Sequence, residues 1–165
     1  MIDRRTVLAG SAALAVAGCS SKFRTYDGPE GTRSQVMKDA RRMFLFHHRE
    51  VLKDYRVHLG FSSKRPKRFR GDGRTPEGSY RIDRRNPNSS FHLSLGVSYP
   101  DPDDIAFALA HGRDPGGDIF IHGDRRWGKD PRGPDWTAGC IAVSDRQMEE
   151  VYAMVRLGTP IDIFA

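Results

Sequence analysis

Apolar residues first gather in a short run of small and aliphatic side chains between Val7 and Ala17. The next group, Met43-Phe44-Leu45-Phe46, has strand character. After the polar step His48-Arg49-Glu50, the residues Val51, Tyr55, Val57 and Leu59 fall on one face of an alternating segment. Together these two segments predict an antiparallel hairpin. Residues 61–78 read as a loop ending in Gly71-Asp72-Gly73-Arg74-Thr75-Pro76-Glu77-Gly78, where three glycines and a proline in eight positions favour defined turns. Gly78-Ser79-Tyr80-Arg81-Ile82 predicts a strand. The clearest alternation follows: Phe91, Leu93, Leu95, Val97 and Tyr99 interleave with His92, Ser94, Gly96 and Ser98, which predicts a strand with one face buried. The Asp101–Asp104 carboxylates suit the start of a helix over 102–110. Residues 118–122 and 139–143 read as short apolar strands. Ser144 and Gln147 have capping-box spacing ahead of the stripe Met148, Val151, Tyr152 and Val155, which predicts a helix ended by Gly158. Pro160-Ile161-Asp162-Ile163-Phe164 closes the chain as a strand. The sum is a mainly β domain with two or so short helices and no internal repeat.

Composition narrows the class. The 165 residues suit one domain plus an extra segment, and 29% charged with 38% hydrophobic residues excludes disorder and a multi-span membrane protein. Arg4 and Arg5 ahead of the Val7–Ala17 run, with Val16-Ala17-Gly18-Cys19 at its end, have the layout of an export signal. The run is far shorter than the roughly 20 residues of a spanning helix. Its ending resembles a bacterial lipoprotein signal, and the paired arginines resemble a twin-arginine signal. The resemblance implies removal of residues 1–18, lipidation of Cys19, a lipidated tether over 19–33 and a catalytic domain over 34–165. It further implies an exported, periplasmic protein held by its lipid, with Ser20 after the cysteine pointing to the outer membrane. The formal net charge is +6, or about +5 once Asp3, Arg4 and Arg5 are removed. Such a balance favours polyanions, anionic membranes or acidic substrates, or serves only solubility. The run Lys64-Arg65-Pro66-Lys67-Arg68-Phe69-Arg70 carries one aromatic and no recognition motif, so nucleic acid is not expected as a partner.

Of the two cysteines, lipidation of Cys19 leaves Cys140 alone. A lone cysteine in an oxidising compartment is either buried and inert or kept for its reactivity, and counting leaves both readings open. Its surroundings add chemistry. Ile119-Phe120-Ile121-His122-Gly123 and Asp135-Trp136-Thr137-Ala138-Gly139-Cys140-Ile141-Ala142-Val143 each set a reactive side chain beside glycine at the end of an apolar strand. A Cys–His pair supplies a nucleophile and a proton for the leaving amine, and a neighbouring imidazolium lowers a thiol pKa from about 8.5 to roughly 3.5–7.5.

His-Gly, a variable loop, then Thr-Ala-Gly-Cys-Ile resembles the signature of the L,D-transpeptidase (YkuD-like) catalytic domain family. The segment 71–80, Asn88-Ser89-Ser90-Phe91-His92-Leu93-Ser94-Leu95-Gly96, Tyr99-Pro100 and Gly116-Gly117-Asp118 ahead of Ile119 are similar to that family in the same order, over roughly residues 42–164. The resemblance implies a β-sandwich with an open catalytic groove, Cys140 as nucleophile and His122 as general acid/base, oriented by a carbonyl at or near Gly123. Main-chain N–H groups around Gly139, Cys140 and Ile141 are implied as oxyanion donors. The implied substrate is the peptidoglycan stem tetrapeptide, cut between its third and fourth residues through a thioester that an amine or water resolves.

Many members carry Ser-His before the Gly-Cys pair and Arg two residues after the cysteine; Thr137-Ala138 and Ala142 stand there in this chain. Transfer and hydrolysis therefore stay open, as L,D-carboxypeptidase action or as an amidase cutting protein–peptidoglycan links. A non-catalytic wall-binding lipoprotein is a rival class, whereas a thiol redox protein lacks its Cys-x-x-Cys. Between the catalytic segments, Arg125, Arg126 or Lys129 are candidates for stem-peptide carboxylates, or else simply face solvent. Trp136 and Thr137 are further substrate-binding candidates, with Trp136 favoured slightly as a packing residue. His47, His48, His58, His92 and His111 show no metal spacing, so no metal and no cofactor are expected, and the protein is read as a monomer.

Overall fold

The computed structural model describes residues 21–127 and 133–165; the expected signal segment, Cys19 and Lys129 lie outside the described residues. The elements run β1 (Arg33–Met37), β2 (Arg42–His47), β3 (Glu50–Arg56), β4 (Gly78–Asn86), β5 (Ser94–Val97), α1 (Pro102–Ala110), β6 (Phe120–His122), β7 (Ile141–Ala142), α2 (Asp145–Met154) and β8 (Pro160–Phe164). The strands form a sheet in the order β3-β2-β1-β8-β4-β5-β6-β7. The last strand lies in the middle: β8 runs parallel to β1, with Val36 opposite Ile163, and antiparallel to β4, with Tyr80 opposite Ile161. β4 serves both halves, since Gly78 to Arg81 pair with β8 while Ile82 and residues 84–86 pair with β5.

The two outer strands meet. His58, just beyond β3, exchanges backbone hydrogen bonds with Ala142 of β7 at 2.9 and 2.8 Å. The fold is thus mainly β, as expected, but its two halves are one curled sheet closed around a shared core. Val36, Met43 and Leu45 enter that core from one half, and Leu95, Val97, Ile121 and Ile141 from the other. Met148, Val151 and Met154 of α2 complete it. Each fully buried Leu or Ile contributes roughly 1.5–3 kcal/mol.

Both helices begin as their sequences dictate. Ser144 Oγ accepts from Gln147 N–H at 3.3 Å and Gln147 Oε1 from Ser144 N–H at 3.1 Å, a closed capping box. Asp101 and Asp104 make the same reciprocal pair at α1. α2 ends at Met154, short of Gly158, because Val155 turns extended. No helix among the described residues is long and apolar enough to cross a membrane.

Several expectations need correction. β1 was not foreseen; its sequence has little alternation and becomes a strand by pairing on both sides. Val51 is exposed because the β2–β3 ladder shifts register between Leu45 and Phe46. The alternating stretch over 91–99 yields only β5, and both of its faces are buried. It starts late because His92 turns the chain with φ +71°, Leu93 N–H donating back to Phe91 O at 2.9 Å. The described part of the expected tether, residues 21–33, is docked on the domain. Arg24 pairs with Glu149, Phe23 lies against Tyr152, Tyr26 packs on the core, and Gly31 N–H bonds Met154 O.

Candidate active site

β6 and β7 are neighbouring parallel strands, with Ile121 opposite Ile141 and His122 opposite Ala142. In this register Cys140, just before β7, is level with Phe120, two positions ahead of His122 along the neighbouring strand. Cys140 and His122 both line one cavity of about 280 Å³, together with Asn86, Ser89, Ser90, Phe91, Ser94, Asp118 and Phe120. Cys140 is half-buried and free of any disulfide. Its thiol donates to Asp118 O at 3.5 Å.

The imidazole is fixed in one tautomer. His122 Nδ1 lies 2.8 Å from Gly123 O, and a carbonyl only accepts, so Nδ1 carries the proton and Nε2 is the basic nitrogen. The ring is held between Phe91, at 4.5 Å between centroids, and Trp136, at 5.8 Å. Ser94 pairs across the ladder from His122 and sits on the same side of the cavity. Gly123 must lack a side chain: a Cβ there would stand 2.5 Å from Asp145 Oδ1 and 2.9 Å from Phe91 O.

The turn bearing Cys140 rests on the Gly-Asp-Gly-Arg-Thr-Pro-Glu-Gly segment. Gly139 has φ +137°, and a Cβ there would lie 2.5 Å from Arg74 O. Asp72 holds that support in shape, accepting from Lys67 Nζ at 3.0 Å and from the N–H groups of Arg68, Phe69 and Arg74 at 2.8, 3.0 and 3.1 Å. Burial pushes the Asp72 carboxyl up, but these donors outweigh it and hold it below the usual carboxylate range.

The electrostatics run opposite to the lowering that a neighbouring imidazolium gives a thiol. Burial pushes the Cys140 thiol above its ordinary value, against a favourable contact from the Phe120 backbone and the distant Lys67 charge. Burial pushes His122 below its ordinary value, against the Gly123 carbonyl and the Asp124 and Asp145 charges. Both directions favour the uncharged forms, and an uncharged His122 Nε2 is the form that acts as a base.

The model of the YkuD L,D-transpeptidase catalytic domain matches residues 31–163. The chain belongs to this family. Among curated proteins, this L,D-transpeptidase domain is 25% identical over 127 residues to the Escherichia coli protein named "Putative L,D-transpeptidase YafK", covering 73% of this chain and 46% of that one. In fold it is similar to the helical cell shape determining protein Pgp2 from Campylobacter jejuni, with a TM-score of 0.60, 18% identity, and coverage of 82% and 51% of the two chains. Bd1075 of Bdellovibrio bacteriovorus gives a TM-score of 0.60 at 22% identity over 86% and 50%. The chain spans about half the length of these relatives.

Against this family's implied site, the structure brings Cys140, His122 and the Gly123 carbonyl together. Of the implied oxyanion donors, Gly139 N–H donates to Thr137 Oγ1 at 3.2 Å. Thr137 as a substrate contact is corrected: it is buried, absent from the cavity lining, and its hydroxyl donates to Cys140 O at 2.7 Å, so it shapes the nucleophile turn. Trp136 packs on His122, Arg125 and Arg126 are exposed beyond the cavity lining, and Ile141 is buried in β7. Sequence reasoning missed Phe91, Ser89, Ser90, Asn86, Ser94 and Asp118 as lining residues. The polar Asn88-Ser89-Ser90 break before Phe91 was the signal that a loop, not a strand, carries that aromatic ring.

Proposed function

We propose that this L,D-transpeptidase-family domain is a cysteine acyltransferase acting on peptidoglycan stem tetrapeptides. The observation that carries the reading is a free thiol and a tautomer-fixed imidazole lining the same open cavity. His122 Nε2 takes the Cys140 proton as sulfur attacks the carbonyl between the third and fourth residues. The oxyanion is met by main-chain N–H groups, for which Cys140 N–H is our candidate now that Gly139 N–H is engaged. The C–N bond breaks as the imidazolium passes its proton to the leaving amine, releasing the terminal D-amino acid and leaving a thioester. An incoming amine or water attacks the thioester, gives its proton to His122, and the C–S bond breaks to return the thiol.

We further propose export by the 1–18 segment and a lipid anchor at Cys19, with the domain facing the periplasm, on the residue pattern of that segment and on Ser20 after the cysteine. Incubating the full chain with defined tetrapeptide muropeptides and weighing the products by mass spectrometry tests the activity. A cross-linked dimer with loss of the D-residue assigns amine transfer, and loss alone assigns water as acceptor. An unchanged substrate, or bound substrate with no product, would return the reading to a wall-binding protein.

A further inference from the structure

We infer that Lys22 is a positioning residue of the active site: it staples the loop that forms one wall of the catalytic cavity. The inference rests on the reading of this cavity as the donor site. Residues 87–92 leave β4 and return to β5, carrying Ser89, Ser90 and Phe91 into the cavity lining. The ammonium of Lys22 donates to the carbonyls of Pro87 and His92, the two ends of this loop. One side chain from a segment more than sixty residues away in sequence thus closes the loop from outside.

The loop needs such a clamp. At its exit His92 has φ +71°, and the Leu93 N–H to Phe91 O bond of 2.9 Å makes this a γ-turn of the rare positive-φ kind. Strained turns of this sort persist when their surroundings over-determine them. Three contacts do so here. Lys22 holds His92 O at 3.2 Å, Glu149 Oε1 holds His92 Nε2 at 3.0 Å, and Gly123 N–H donates to Phe91 O at 3.0 Å. Glu149 is in turn held by Arg24 of the same N-terminal segment at 2.9 Å. The turn aims Phe91 at His122, with 4.5 Å between ring centroids. The stretch expected to be a passive tether therefore sets the shape of the donor wall. If Cys19 carries lipid, at most about 11 Å of chain separates that anchor from the staple.

The test compares the full chain with Lys22→Ala, Lys22→Arg and, as a control, Arg42→Ala, whose ion pair with Asp54 is remote from the cavity. Lys22→Ala should speed amide hydrogen exchange at Leu93 and Gly123 by roughly tenfold, with the melting temperature nearly unchanged. It should raise KM for the tetrapeptide roughly fivefold while kcat stays within about twofold. Lys22→Arg should restore most of both effects, and Arg42→Ala should show neither. Unchanged exchange at Leu93 and Gly123 would overturn the inference, and so would a loss of stability with kcat and KM worsening together and no rescue by arginine. The exchange measurement needs no turnover, so it judges the staple even if wild type leaves the tetrapeptide intact, a result that would count against the proposed function alone.

Discussion

Replacing Gly139 by alanine tests how the nucleophile turn is held. The new Cβ would stand 2.5 Å from Arg74 O and 3.2 Å from Ile119 Cδ1, on a residue whose φ is +137°. Such a backbone costs an L-residue about 1–3 kcal/mol. Arg74 O has little room to retreat, because Asp72 holds Arg74 N–H and Ser62 N–H holds Gly73 O at 2.9 Å. Overpacking of that kind costs about another 1–3 kcal/mol. The sum, about 2–6 kcal/mol, lowers the melting temperature by roughly 5–20 °C for a domain of this size. Because Cys140 is the next residue, kcat/KM at a temperature where the variant is folded should fall about 100-fold or more. Gly112→Ala is the internal control: its φ is +63° but nothing lies within 4 Å of the new Cβ. That change carries only the left-handed penalty of about 1–2 kcal/mol. Calorimetry and single-turnover kinetics decide. Melting of Gly139→Ala no lower than Gly112→Ala, with kcat/KM within about threefold of wild type, would refute the claim that close approach to Arg74 fixes the nucleophile.

The raised thiol and lowered imidazole values predict slow alkylation of Cys140 by iodoacetamide at pH 7, with the rate climbing only above the ordinary thiol range. A rate already on a plateau near pH 6 would mean a resting ion pair and contradict both directions. Asp72→Ala strips the buried Lys67 ammonium of its counter-charge, leaving it the Phe69 carbonyl, and takes the acceptor from three N–H groups; it should cost about 3–5 kcal/mol by denaturant unfolding. Since the folded-state pKa of Asp72 lies below its unfolded value, its contribution is present above about pH 4 and is lost as pH falls through the folded value. The acid limb of the stability curve should accordingly flatten in the variant, and an unaltered limb would count against the Asp72 assignment.

Local chemistry made much of this legible. Ser144 with Gln147 marked the start of α2, the Asp101–Asp104 pair marked α1, and glycine beside His122 and Cys140 marked the site. What escaped was non-local. Residues 33–37 carry too little alternation to announce a strand and become one between β2 and β8. Phe91 looks like the first core residue of an alternating run, yet the turn at His92 sends it over His122 instead. Residues 21–31 have the composition of a linker, but Lys22, Arg24 and Tyr26 find partners some sixty or more positions later or in the core. The direction of the Cys140 and His122 shifts also depends on burial, which neither motif reveals.

The central claim is covalent catalysis by one sulfur atom, and intact-mass analysis of acid-quenched protein mixed with a stem tetrapeptide tests it most directly. The account predicts an acyl-tripeptide adduct that maps to Cys140, one D-amino acid released per adduct, and none of either from Cys140→Ala. His122→Ala should form the adduct at least about 100-fold more slowly. Release of the D-residue by Cys140→Ala at the wild-type rate, with no adduct on the wild-type thiol, would contradict it.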